Sequence, residues 1–535
     1  MLLTWLIVLP VLGALPMCLA REQNARELKV WAFVVALAAF AASLPLWYAF
    51  SPALGGYAFS EAHKWVELKD STGKIYLNIG FNLGVDGISS LLVLLTTFIM
   101  PISILGSWNY IQKRQKEFYI AMLLLETAMI GVFCATDLFL FYVFFEASLI
   151  PMYVIIGVWG GDEKIYATTK FVIYTAFGSL LMFIALLFVY FKTGAESFDV
   201  VHLTTLLAKA RTLPESDPGF LSHRAEFWCF WAFALAFAIK VPLFPVHTWL
   251  PDAHVQAPTP GSVVLAAVLL KMGGYGFLRI VFPFFPVAVE FYAPIFMVLC
   301  VIGIIYGSMM AFVQTDIKKL VAYSSVAHMG TCMLGIFSLT TTGVQGGVFQ
   351  MLNHGVSTGA LFLLIGMIYE RTHTRLIAFY GGIAKSVPVY TTAFVIVTLS
   401  SIGLPLTNGF VGEFTCLFGG FLRSPWLGLL ASTGVILGAV YMLYAVKRMF
   451  FGTIRREELK HLTDLNGREL AVLAPLVFAI FAMGVMPAPF FDRIKPAANT
   501  FIQYSSAPGK DMRAAPTEKA AALGIQNLEV AMPVK

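Results

Sequence analysis

The sequence is short of charge. Only 12% of its 535 residues are Asp, Glu, Lys or Arg, about half the share usual in a soluble globular protein. Hydrophobic residues make up 59% and the mean hydropathy is +0.79, which excludes a water-exposed surface over most of the chain. Cysteine is scarce and scattered. Cys18, Cys134, Cys229, Cys300, Cys332 and Cys416 lie in apolar segments with no C-x-x-C pair, which argues against zinc or iron–sulfur ligation. They read as small packing residues. The sequence has no Walker-A loop and no G-x-G-x-x-G within a βαβ unit, so binding a dinucleotide or hydrolysing ATP is not expected of this chain. Its net charge of +6 comes without a basic patch interleaved with aromatics, and no nucleic-acid partner is expected.

What the sequence has is long apolar runs. They are continuous and about 20 residues long, enough to cross the bilayer as helices, and not the alternating ten-residue runs of an outer-membrane barrel. We therefore expect an all-α polytopic membrane protein with about 14 transmembrane helices. The expected spans are 2–20, 29–50, 84–107, 118–135, 137–158, 168–191, 226–254, 261–281, 291–313, 321–340, 344–369, 386–422, 427–446 and 470–487. The first, from Leu2 to Ala20, lacks the basic start and cleavage site of a signal peptide and is read as a retained helix.

Two spans are overlong and interrupted. The seventh carries Pro242, Pro245 and Pro251; the twelfth carries Gly403, Pro405, Asn408, Gly409 and Gly412. Val241-Pro242-Leu243 and Leu404-Pro405-Leu406 mark breaks five spans apart. An odd offset inverts topology, so two inverted five-helix repeats with discontinuous helices seven and twelve are expected. The corresponding divisions are 1–117 (helices one to three with an outer hairpin), 118–281 (first repeat), 291–446 (second repeat) and 470–535 (last helix and polar tail). The hairpin is expected within 57–82, turning at Ser71-Thr72-Gly73. Residues 198–211 read as an amphipathic surface helix. From 490 the chain turns polar and Ala/Pro-rich, and beyond about 508 an extended tail is expected.

Orientation follows the Lys and Arg of the loops. With the N-terminus outside, Arg21, Arg26, Lys113, Arg114, Lys116, Lys318, Lys319, Arg371, Arg375, Lys447, Arg448 and others fall inside. The inside loops then carry about twice the basic residues of the outside loops, so both termini are expected outside.

An ionisable residue deep in a span costs several kcal/mol and marks ion or proton routes. Glu146 lies well inside span five and Lys240 ends Phe237-Ala-Ile-Lys, just before Pro242. A proline frees a carbonyl on the preceding turn, where polar groups and water gather. Lys271 is ten residues from either end of span eight, too deep to snorkel to the interface. Glu413 follows the break in span twelve, where a carboxylate also suits a helix start. His328 and His354 lie inside spans ten and eleven; histidine relays protons near neutral pH, or serves as a hydrogen-bonding strut. Glu126 is a further buried carboxylate in span four. His247, Asp252 and His254 flank the second half of span seven, with the two histidines two turns apart on one face. No third ligand stands at metal spacing, so a metal is not expected.

Several stretches then resemble a known family. They are Phe145-Glu-Ala-Ser-Leu-Ile-Pro-Met152, Ala238-Ile-Lys-Val-Pro-Leu-Phe-Pro-Val-His-Thr-Trp-Leu-Pro-Asp-Ala-His254, Leu269-Leu-Lys-Met-Gly-Gly-Tyr-Gly276 and Ala322-Tyr-Ser-Ser-Val-Ala-His-Met-Gly330. They are similar to the antiporter-like membrane subunits of respiratory complex I and of Mrp antiporters, over essentially residues 2–490. The resemblance implies two half-channels. Glu146 and Lys240 would form a coupled pair in the first, Lys271 would be the central proton carrier, and His328 and His354 would link it to Glu413 in the second. It also implies a subunit of NADH–quinone oxidoreductase in a bacterial inner membrane, in contact with lipid and with neighbouring antiporter-like subunits. No cofactor is implied on this chain; FMN, iron–sulfur clusters and quinone would sit on partner subunits. The alternative is a subunit of a Mrp-type sodium/proton antiporter.

Overall fold

The structure, a computed structural model, describes residues 1–19, 25–50, 56–69, 71 and 75–506. A backbone in hydrocarbon must satisfy its own N–H and C=O groups, and the apolar runs accordingly wind into helices. In chain order α1 is Leu2–Leu19, α2 Arg26–Tyr48, α3 Ser89–Gly106, α4 Gln115–Cys134, α5 Leu138–Trp159 and α6 Lys164–Thr193. Then come α7 Val200–Ala210, α8 His223–Lys240, α9 Trp249–Gln256 and α10 Thr259–Phe284, α11 Pro286–Phe312, α12 Ile317–Phe337 and α13 Thr341–Thr372. The last are α14 Pro388–Ser401, α15 Asn408–Arg423, α16 Pro425–Phe450, α17 Gly467–Val485 and α18 Ala488–Ser506. Among the described residues, 12 helices are long and apolar enough to cross a membrane. The two further expected spans are the interrupted ones, α8 with α9 and α14 with α15. Helices α10 and α13 are wholly surrounded by protein and α12 nearly so, while α1, α2, α16 and α17 are peripheral.

The two breaks are built alike. Past the end of α8, the Leu243 amide reaches back to the Ala238 carbonyl (2.8 Å); past the end of α14, Leu404 reaches back to Leu399 (2.9 Å). Lys240 and Ser401 thus close equivalent half-helices, two residues out of step with the Val-Pro-Leu and Leu-Pro-Leu echo in the sequence. The helix starts match as well. Asp137 caps α5 by accepting from the Phe139 and Leu140 amides, and Asp316 caps α12 by accepting from Lys318 and Lys319. Leu138 donates to Phe198 and Val200 to Thr136; Ile317 donates to Arg375 and Ile377 to Thr315. The first of these joints lies beside the hairpin, where Gly80 donates to Asp137. The second lies on the opposite face, as inversion of a repeat requires.

The expected hairpin is β1 (Ala58–Lys69) paired antiparallel with β2 (Ile75–Val85). Thr72 and Gly73 of its turn lie outside the described residues, as does the tail beyond 508. Helix α7 forms where the amphipathic segment was expected, burying Val200, Leu203 and Leu207. Helix α18 differs from the expectation of a tail turning polar from 490. Pro489 and Pro496 and its low hydrophobicity hide it, but Ile494, Ala498 and Phe501 recur on one buried face at helical spacing. Arg493 fixes it to the end of α2, donating to the Trp47 carbonyl (2.7 Å) and lying 4.0 Å from the centre of its ring.

Candidate functional site

The central lysine sits on an unusual piece of helix. Around Lys271, α10 winds as π-turns over Leu265–Leu269 and again over Phe277–Val281. A π-turn releases a carbonyl from the usual ladder and is often found at functional sites. The Lys271 ammonium donates to one such carbonyl, that of Ala266, and lies 2.7 Å from His354 Nδ1. The His354 and His328 rings are 5.9 Å apart, centre to centre. His328 Nδ1 is 2.9 Å from Glu413 Oε1, and its Nε2 is 3.3 Å from the Ser401 hydroxyl. Lys271, His354, His328 and Glu413 therefore form one line, with the two histidines between the lysine and the glutamate. A cavity of about 20 Å³ adjoins its far end, lined by Ser308, His328, Thr331, Ser401, Glu413 and Tyr441 among others. That is room for about one water among polar partners.

Polar side chains absent from the sequence reading hold this line. Gln350 donates to Glu413 (3.4 Å), and Asn353 joins Gln350 to the Asn408 carbonyl (2.7 Å) at the start of α15. Ser357 and Ser400 meet at 2.9 Å, and Ser400 bonds the Asn408 side chain (2.6 Å). The signal was in the sequence. Gln350, Asn353, His354 and Ser357 recur at three- and four-residue steps, one polar stripe on an otherwise apolar helix.

The first pair is arranged differently. Lys240 is 2% exposed at the end of α8. Its ammonium is bonded to the Ser148 hydroxyl (3.3 Å) and lies 4.8 Å from the centre of the Phe145 ring. Glu146, half-buried on α5, has Ser179 of α6 against its carboxylate, and its Oε1 has no partner. The lysine is thus held by a neighbour of the glutamate and not by the glutamate itself. Glycine brings the two lysine-bearing helices together. A Cβ on Gly273 would lie 2.6 Å from the Phe237 carbonyl oxygen and 2.9 Å from the Val241 amide nitrogen, inside contact distance.

The remaining sequence candidates scatter. Asp252 is paired with Lys170 at 2.7 Å. The two histidines do not share a helical face, because α9 begins only at Trp249 and His247 lies in the turn before it. His247 stacks on Phe244, while His254 stacks on Phe362. Glu126 is fully buried and neither carboxylate oxygen has a partner. Lys318, counted as a loop charge in the sequence, is 5% exposed and donates to the Ala257 carbonyl (2.5 Å).

A helical membrane protein with two discontinuous helices and a buried titratable line between them defines a class of ion-translocating proteins. Comparison places the chain within it. The family described as "NADH:quinone oxidoreductase/Mrp antiporter, TM" matches residues 135–438, and that described as "NADH-ubiquinone oxidoreductase chain 4, amino terminus" matches 28–132. NADH-quinone oxidoreductase subunit M of Rhodobacter capsulatus is 48% identical, over 90% of this chain and 91% of that one. NADH-ubiquinone oxidoreductase chain 4 of Arabidopsis thaliana is 42% identical, over 94% and 97%. A chain of respiratory complex I from Thermus thermophilus superposes with a TM-score of 0.83 at 33% identity, covering 95% of this chain and all of that one. A chain of the Mrp complex from Dietzia shares the fold (TM-score 0.75) at 20% identity, over 95% and 100%. The chain belongs to the NADH:quinone oxidoreductase/Mrp antiporter membrane family and, within it, to the branch of subunit M and chain 4.

Proposed function

We propose that this chain is the proton-translocating membrane subunit of an NADH–quinone oxidoreductase, coupling electron transfer elsewhere in the complex to proton movement across the membrane. The observation that carries the reading is the line from Lys271 through His354 and His328 to Glu413. Each member is ionisable; Lys271 and His354, and His328 and Glu413, are within hydrogen-bond reach, and the two histidine rings stand 5.9 Å apart. Lys271 is the proton carrier, and Glu413 receives what the histidines pass on. When Lys240 leaves Ser148 for Glu146, its charge is neutralised locally and no longer opposes a second charge on Lys271. The groups therefore titrate as a set.

The redox chemistry belongs to partner subunits, which hold FMN, iron–sulfur clusters and quinone, and this chain holds no redox centre. It sits in a bacterial inner membrane beside other antiporter-like subunits, with both termini outside. Residues 118–281 and 291–446 are the two half-channel repeats. The Mrp-type sodium/proton antiporter is the weaker alternative, since the likeness to that complex is one of fold.

The test is to tag the chain, isolate it gently from its membrane, and assay NADH–quinone activity in the fraction. Recovery with flavin and iron–sulfur subunits supports the proposal, and recovery with small membrane subunits and no flavin overturns it. In the assembled complex, Lys271→Ala is expected to remove proton pumping; wild-type pumping would remove Lys271 from its role.

A further inference from the structure

The line away from Lys271 runs sideways, to His354. Straight along α10, towards the hairpin face, stands a different group. Tyr275 and Arg279 follow Lys271 at four-residue steps, on the same side of the helix, and both are buried. Tyr275 donates its hydroxyl proton to the Phe133 carbonyl (3.2 Å) and accepts from Arg279 Nε (3.2 Å). Arg279 pairs with Asp86 at 2.6 Å and donates to the Tyr57 hydroxyl (3.3 Å). Its guanidinium lies 4.9, 5.4 and 5.5 Å from the ring centres of Tyr57, Tyr275 and Phe501. Asp86 is itself pinned by the Ile88 amide (3.0 Å), the Ser89 amide (2.8 Å) and the Ser89 hydroxyl (3.1 Å). Four parts of the chain thus converge on one arginine: the start of the hairpin, the start of α3, α10 and α18.

Stability alone is a poor reason for this arrangement, because burying an ion pair costs desolvation that its attraction barely offsets. Chemistry gives a better one. Lysine and histidine can give up a proton; arginine effectively cannot. A fixed guanidinium in a narrow passage raises a barrier to protons and other cations, as it does in water-selective pores. Arg279 is about 12 Å beyond Lys271 along the helix.

We propose that Arg279, held by Asp86, Tyr275 and Tyr57, is the seal that closes the direct way from Lys271 to the hairpin face and makes the path through His354 obligatory. This rests on Lys271 being the proton carrier. Opening the seal lets protons slip back without turnover.

The test uses the assembled complex in proteoliposomes without NADH, with a potassium diffusion potential imposed by valinomycin and proton influx read by a trapped pH dye. Wild type is expected to be tight. Arg279→Gln is expected to leak several-fold faster while NADH–quinone electron transfer continues. Adding Lys271→Ala to it is expected to stop the leak. Arg279→Gln as tight as wild type overturns the seal. A leak that survives the added Lys271→Ala takes Arg279 off the path of Lys271 and overturns the proposal as stated. If Arg279→Gln does not assemble, Arg279→Met, which keeps a long side chain and removes the charge, carries the test with the same outcomes. Failure of the carrier reading is seen separately, in undiminished pumping by Lys271→Ala alone.

Discussion

The two halves of the molecule share a frame and differ in what they hang on it. From Lys271 at the end of the first half into the second, Lys271, His354, His328 and Glu413 stand in a near-continuous line. In the first, Lys240 and Glu146 are neighbours that do not pair, with Lys240 on Ser148 and one glutamate oxygen free. Lys240 closes its half-helix where Ser401 closes the other, and Ser401 only braces His328. A line whose end links are made and whose two rings stand 5.9 Å apart is suited to conduct. A lysine with two acceptors to choose between is suited to switch. The same backbone break serves both because it exposes carbonyls in mid-span without deciding which side chain uses them.

Three substitutions break or sharpen this contrast. His354→Leu removes the first link after Lys271 and is expected to abolish pumping driven through this subunit while electron transfer continues. Dye-quench measurements on inverted membranes with NADH check it, and pumping at the wild-type level would show that the line is not the path.

Gly273→Ala forces α10 away from the end of α8. Overpacking of this kind costs about 1–3 kcal/mol. The expected outcome is a partial loss of pumping per electron and a complex that dissociates at lower temperature, measured on the same preparation.

The smallest effect is expected from Ser148→Ala. It removes one hydrogen bond to a charged group, worth about 1.5–3 kcal/mol, and leaves Glu146 as the remaining acceptor for Lys240. Pumping is expected to persist with a shifted pH profile, whereas an unchanged profile would mean that Ser148 does not hold the resting lysine.

Much of this was legible in the sequence because charge is conspicuous in apolar runs. Glu146, Lys240, Lys271 and Glu413 stood out for that reason, and the proline and glycine breaks located the discontinuous helices. What was not legible depends on geometry. Nothing in the spacing of Phe237-Ala-Ile-Lys says that the lysine rests on Ser148 rather than on Glu146. His247 and His254 were placed on one face by assuming a helix that begins two residues later than His247. Lys318 looked like a loop charge because its burial depends on Ala257, some sixty positions away. Helix α18 was hidden because two prolines and several polar residues outweigh three well-spaced apolar ones when only composition is read.

The line from Lys271 to Glu413 also has a polarity of its own. One end is a lysine and the other a carboxylate, with two neutral-capable rings between. On the proposed reading, in which Lys271 carries the proton, a positive charge there lies uphill of the carboxylate at the other end. The free energy of the rest of the complex would then go chiefly into reloading Lys271 and releasing the proton beyond Glu413.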